Sequence, residues 1–320
     1  MLNFSTLFNS KFLPQGLALY FSLKKHCESF RLYVLCVDSK VHEQLRKLNL
    51  DNIFLLSLAE LETDELKEVK SNRTVAEYCW TLTPQIFTFV KTAFPKIDHL
   101  TYLDADLFFY ADPQILINDF FNSPARVQIT DHHYAPEYEY YAELSGRFCV
   151  QFLTFKFDGS NNEILELWQK QCIDWCYARV EDGKYGDQKY LDSWPKIFKE
   201  KVFICQEKDK MLAPWNIKFI SSKEKKLNPV FYHFHNFRII SPVKALCYRG
   251  YKIGSKNHWV YEDYQKALIK AIKLLKKNDI EIAFLPLPYE KFRFFKNFIR
   301  RRIKRNTHFL DLNTGGENGF

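Results

Sequence analysis

A mostly parallel α/β sheet flanked by helices is the fold this sequence predicts, and two observations predict it. Near-continuous apolar runs of strand length, "FRLYVLCVD" (30–38) and "HLTYLD" (99–104), suit strands buried on both faces. Segments with helical apolar spacing stand between such runs, giving the strand, helix, strand order with which a parallel sheet begins.

Taken in order, "MLNFSTLF" opens as a strand, "NSKFLPQ" as the loop after it, and residues 15–26 as a helix. A helix at 42–49 and a strand at 52–58 follow the second strand. Helical material then runs from 58 to Pro84 and continues over 85–94 to the strand at 99. Further strands are predicted within 125–134, at 148–157 and over 228–241, the last placing His233 and His235 on one face. Residues 162–180 read as a long amphipathic helix with Trp168 and Trp175 in its apolar stripe, and 260–278 as a surface helix. The stretch "EDGKYGDQKYLDSWP" (181–195) reads as a polar loop entering a short helix that Pro195 ends. No repeat or linker divides the chain.

The 320 residues are 47% hydrophobic and 17% aromatic, enough for a packed core, which excludes a disordered class. Eight cysteines lack the paired spacing of a zinc site and read as reduced thiols of a cytoplasmic protein; Cys172 and Cys176 are expected to share a helix face. No apolar run reaches the roughly 18 residues needed to span a bilayer. The net charge of +8 equals the eight basic residues of "KFRFFKNFIRRRIKR" (291–305), where phenylalanines interleave with the charges. Such a segment suits the anionic inner face of a membrane, with a solvated helix as the alternative. A nucleic-acid role is not expected behind so long an aromatic-rich core.

Three features carry chemistry. Asp104 and Asp106 follow an apolar strand, the position at which open α/β sheets bind ligands. Asp187 and Gln188 lie in the polar loop, and His233 and His235 on a late strand. Carboxylates and imidazole are ligands suited to manganese or magnesium.

In this order the features resemble the GT-A glycosyltransferases, in particular bacterial relatives of glycosyltransferase family 8. The matching stretches are "FSTLFNSKFLPQGLALYFSLKKH", "FRLYVLCVD", "AEYCWTLTPQIF", "HLTYLDADLFFYADP", "YGDQKYLDSWP" and "FYHFHN". The resemblance implies a Rossmann-like domain over 1–250, followed by a helix and the basic tail over 251–320. It implies transfer of a hexose, with retention, from a nucleotide diphosphate sugar such as a UDP-sugar to a glycan, lipid-linked or lipopolysaccharide-type acceptor. Asp104, Asp106 and His233, with His235 as its rival, would hold a divalent metal, usually Mn2+ or else Mg2+, and Asp104 would also lie close to the ribose. Asp187 and Gln188 would line the sugar near its anomeric carbon. Thr6, Asn9 and Phe12, after the first strand, would lie near the base. Arg238 would replace an absent lysine at the phosphates, Asn236 stands where the family has glycine, Thr81 where it often has arginine, and Cys149 where it often has asparagine. The alternatives are a binding protein acting through the basic tail, or a sugar nucleotidyltransferase, whose glycine-rich signature "FSTLFNSKFLPQG" lacks.

Overall fold

The computed structural model describes residues 1–158, 162–285 and 307–313. By its internal contacts the chain forms two compact units. Unit 1 comprises Met1–Asn9, Cys27–Ala105 and Asp112–Lys208, and unit 2 comprises Ser10–His26, Asp106–Ala111 and Asp209–Phe320.

The chain begins with β1 (Leu2–Phe8), α1 (Leu13–His26), β2 (Phe30–Cys36), α2 (Ser39–Leu48) and β3 (Ile53–Ser57), then α3 (Leu58–Leu61), α4 (Asp64–Lys70) and α5 (Val75–Ala93). The sequence predicts continuous helix from 58, and caps explain the breaks. Thr63 accepts the Leu66 amide, and Thr74 with Glu77 forms a reciprocal capping box that opens α5. Pro84 lies inside α5. Its missing N–H costs about 3 kcal/mol, but Leu82, Ile86, Phe87 and Val90 are all fully buried on that helix, and their packing outweighs the loss.

There follow β4 (His99–Leu103), β5 (Leu107–Phe109), α6 (Gln114–Phe121), β6 (Val127–Asp131), α7 (Tyr140–Ser145), β7 (Phe148–Lys156), α8 (Glu163–Asp174), α9 (Trp194–Ile197) and β8 (Val202–Cys205). The last elements are β9 (Met211–Leu212), α10 (Ile217–Lys223), β10 (Phe231–His233), β11 (Arg238–Ser241), β12 (Lys244–Arg249), α11 (Trp259–Lys277) and β13 (Thr307–Asp311).

Three expectations are corrected here. Helix α8 stops at Asp174, because Trp175 turns extended and donates its indole N–H to Glu181 at 3.1 Å. Cys176 therefore lies beyond the helix that carries Cys172, and all eight cysteines are free thiols. Pro195 opens α9 rather than ending a helix, standing in the first turn where its missing N–H has no intrahelical partner. The strand expected over 228–241 is two strands, parted by a turn in which the Phe237 amide donates to Phe234 O at 2.8 Å and Asn236 takes φ +66°.

Unit 1 is built on a seven-stranded sheet in the order β3-β2-β1-β4-β7-β6-β8. All its strands run one way except β7, which is antiparallel to both neighbours. The carboxyl ends of β1, β4 and β6 therefore share one edge. Its core joins sheet residues such as Leu35, Leu100 and Leu153 to Phe87 of α5 and Trp168 of α8. Unit 2 holds two three-stranded sheets, β5-β10-β9 and β11-β12-β13. Its core gathers Phe234, Phe237 and Tyr264 with Leu268 and Ile272 of α11. Asp112, read as a turn residue, accepts the Gln114 amide at 2.9 Å. Residues 291–305, the basic tail, lie outside the described residues. No helix among the described residues is long and apolar enough to cross a membrane.

Candidate active site

In unit 1 the chain switches direction across the sheet at β1, which has β2 on one side and β4 on the other. Ligands of open α/β sheets bind outside such a switch point, at the carboxyl ends of the strands. Asp104 stands there, one residue past β4, with its amide donating to Gln151 O of β7 at 3.1 Å.

Asp187 belongs to the same unit and is 5% exposed. Burial, and next the negative charge of Asp104, push its carboxyl up to about 8, against the lowering effect of its own amide, the Thr83 hydroxyl and the Gln188 amide. Thr83 hydrogen-bonds to Tyr102 as well as to Asp187, and its Oγ1 also donates to Cys79 O at 3.1 Å. Sequence reasoning missed Thr83, since a threonine inside a buried helix carries no signal by itself.

Two features aim Asp187. The Trp168 indole donates to its carbonyl at 2.9 Å. Gly186 before it has φ +52°, and a Cβ there would come within 3.3 Å of the Trp80 ring, so glycine is required both by conformation and by space. Gln188 is anchored by its Nε2, which donates to Ser145 O at 2.6 Å. Thr81 receives a hydrogen bond from Arg73, whose guanidinium also donates to Cys172 O at 2.9 Å and to Ile173 O. Arg73 thus brings a cation to Thr81 from the segment before α5.

Unit 1 also holds Thr6 and Asn9. Thr6 lies within β1, fully buried, rather than in the loop after it, because β1 extends to Phe8. Asn9 is the loop residue. Phe12, in unit 2, ends the short 3-10 turn Ser10–Phe12 ahead of α1.

The chain passes from unit 1 to unit 2 between Ala105 and Asp106, so the two aspartates of the triplet fall one on each side of that passage. In unit 2, β5 pairs antiparallel with β10, placing His233 opposite Leu107. The Phe234 amide donates to Asp106 O at 2.9 Å. That register brings His233 Nε2 to 3.1 Å from Asp106 Oδ1. Burial raises the Asp106 carboxyl, but the attraction of His233 and the His233 hydrogen bond more than offset this and hold it below the usual carboxylate range.

His233 ends β10, whereas His235 lies in the turn beyond it, so the two do not share a strand face as predicted. Their rings remain 5.7 Å apart, and both meet Trp215 edge to face, at 5.4 Å and 5.5 Å. Trp215 is buried and was not singled out in the sequence. Burial, then repulsion from His233, pushes His235 down to about 4, which keeps it neutral at pH 7. Arg238 is exposed at the start of β11, and its charge adds to that lowering. The left-handed φ of Asn236 explains the one departure in "HFHN", since asparagine is the residue that best replaces glycine there.

No family model matches the chain. It is 30% identical over 327 residues to the uncharacterized protein YfnD of Bacillus subtilis (strain 168), covering 97% of this chain and 98% of YfnD. It is also 30% identical over 293 residues to YfnF of the same organism, covering 87% of this chain and 95% of YfnF. Among solved structures it is similar to the galactosyltransferase LgtC, crystallised with donor and acceptor sugar analogs, with TM-score 0.51, 12% identity, and coverage of 90% of this chain and 98% of LgtC. It is also similar to the glycosyltransferase GlyE of Streptococcus pneumoniae TIGR4, with TM-score 0.50, 14% identity, and coverage of 91% and 67%. At such identities the two structures speak to the fold, which is the GT-A fold the sequence resembles. Aligned nearly end to end with YfnD, the chain belongs to the family of the Bacillus subtilis proteins YfnD and YfnF and carries it on a GT-A fold.

Proposed function

We propose that the protein is a metal-dependent hexosyltransferase that uses a nucleotide diphosphate sugar, a UDP-sugar first among them, and transfers the sugar to a hydroxyl of a glycan or lipid-linked acceptor with retention. The observation that carries this reading is the Asp106–His233 pair at 3.1 Å, beginning two residues after Asp104 at the end of β4. Asp104, Asp106 and His233 would hold the metal: two carboxylate oxygens and one imidazole nitrogen form a donor set suited to manganese or magnesium. When bound, such an ion offsets the charge of a leaving diphosphate. His235, neutral and beside His233, is the second imidazole available to it.

The remaining roles fall to the protein's own side chains. Asp187, whose carboxyl burial and then Asp104 push up to about 8, is a buried acid beside Asp104, and a cation there would favour its carboxylate form. Gln188 commits its Nε2 to Ser145 O, which leaves its carbonyl oxygen as the atom to face the positive charge that develops on the anomeric carbon. Asn9 and Phe12 are the nearest candidates for the base, and exposed Arg238 for the phosphates; Thr6, buried inside β1, would act only by shaping the strand end. A membrane-bound acceptor would match the basic segment 291–305.

The test is a panel of nucleotide sugars with manganese, read as slow hydrolysis of the donor, which needs no knowledge of the acceptor. One or more donors should be hydrolysed by the wild type and none by Asp106→Asn. Hydrolysis that is independent of manganese, or undiminished in Asp106→Asn, would remove the metal clamp from the mechanism.

A further inference from the structure

The segment between β6 and β7, "HHYAPEYEYYAELSGR" (132–147), carries four tyrosines that the glycosyl-transfer reading leaves without a role. Because β6 runs parallel to β4, this connection leaves the sheet at the same edge of unit 1 as Asp104. It is also tied to the Asp187-Gln188 loop. Ser145 O accepts Gln188 Nε2, Lys189 Nζ donates to Ala142 O at 3.0 Å, and Asp192 accepts the Arg147 amide at 2.9 Å. Gly146, at φ +112°, packs so close that a Cβ there would meet the Lys189 Cα at 3.4 Å.

Tyr138 is buried, and the other three rings are not spent on the core. Tyr140 is 54% exposed and Leu144 43%, and Tyr141 and Tyr134 are partly exposed. Tyr140 and Tyr141 lie ring against ring at 4.3 Å, and Tyr134 follows at 6.0 Å from Tyr141. Tyr134 is itself stacked on buried His132 at 4.5 Å with an interplanar angle of 11°. Tyr141 hydrogen-bonds to Tyr140 and lies within electrostatic reach of Tyr185, two residues before Asp187. At the ends of the same segment, Arg147 Nε pairs with Asp131 Oδ2 at 2.6 Å.

A row of partly exposed aromatic faces, in a segment that also carries charged side chains, suits a pyranose ring. One face of such a ring is a set of C–H bonds that packs on an aromatic plane, and its rim is hydroxyls that need donors and acceptors. A protein partner would want a larger apolar face than this short strip provides.

Resting on the glycosyl-transfer reading, we propose that Tyr134, Tyr140 and Tyr141 form the subsite for the acceptor, and that the acceptor unit seated there is a hexopyranose stacked by its C–H face on these rings.

The probes are p-nitrophenyl β-glucopyranoside and β-galactopyranoside, added to the full chain with UDP and manganese and read by saturation-transfer NMR. Expected is saturation of the pyranose C–H protons in the wild type, a loss of at least about tenfold in affinity in Tyr141→Ala and in Tyr140→Ala, and recovery in Tyr141→Phe, which keeps the aromatic face. Donor hydrolysis should be unchanged in all three variants, which also reports that they fold. Absence of saturation with either pyranoside, or equal affinity in the wild type and both alanine variants, overturns the subsite. Failure of donor hydrolysis in the wild type would instead strike at the glycosyl-transfer reading, and tyrosine-dependent pyranose binding would survive it.

Discussion

The indole N–H of Trp168 donates to the backbone carbonyl of Asp187 at 2.9 Å, and both residues are buried. An apolar helix stripe predicts Trp168 as core, and it is core, packed on Trp194 at 5.5 Å and Phe87 at 6.3 Å. Yet its single polar atom fixes the loop that carries Asp187 and Gln188. Replacing Trp168 with Phe removes the donor and strands a buried carbonyl, at a cost of about 1–3 kcal/mol. Urea denaturation should report that loss, and donor hydrolysis should fall with it. Lower stability with hydrolysis intact would confine Trp168 to the core.

The contact between Asp106 and His233 makes a prediction about metal. An ion that binds only the folded chain stabilises it by about 2.7 kcal/mol at a concentration of 100 times its Kd. Manganese should therefore raise the melting temperature of the wild type, and that rise should be absent in Asp106→Asn and reduced in His233→Ala. Calcium, which prefers more oxygen ligands, should give a smaller rise. Equal shifts in all three proteins would place the manganese elsewhere.

What could be read in advance follows from how local each cause is. β2 and β4 are legible because a strand buried on both faces reads as a near-continuous apolar run, and the aspartates after β4 because they break such a run. The turn between β10 and β11 is not legible, since "YHFHNFRII" alternates like a strand and only the left-handed Asn236 divides it. Thr83, Trp80 and Trp215 act through contacts with residues far away in the chain, and such contacts leave no mark on their neighbours. Arg73 is the same case: its partners Cys172 and Ile173 lie about a hundred residues on. Gly186 is half legible, because "YGDQ" signals a turn but does not reveal the Trp80 ring beneath it.

Gly186 gives the next prediction. At φ +52° an L-residue is strained, and the added methyl would press on Trp80 at 3.3 Å. Gly186→Ala should cost about 1–3 kcal/mol and should tilt Asp187 away from Thr83. The denaturation midpoint checks the first, and slower donor hydrolysis at saturating donor checks the second. A fully active, fully stable variant would mean that the loop adapts freely and that its present path is not needed.

In unit 2, His258 and His308 stack at 4.7 Å, with Tyr248 hydrogen-bonded to His258 at 3.2 Å, and His308 sits on β13 where it pairs with β12. Burial lowers both histidines below their ordinary range; His258 in turn lowers His308, while Glu262 works against the shift of His258. In the unfolded chain each takes up a proton near pH 6.5, whereas the folded chain resists it. The contribution to stability is therefore complete above about pH 6.5 and is lost as the pH falls through the lowered folded values. Other buried histidines slope the same way, so the comparison that isolates this pair is wild type against His308→Phe. Urea midpoints from pH 7.5 to pH 5 should fall less steeply in the variant, which keeps the stacked ring and loses the titration. Parallel slopes would show that β13 is held independently of the charge on this pair.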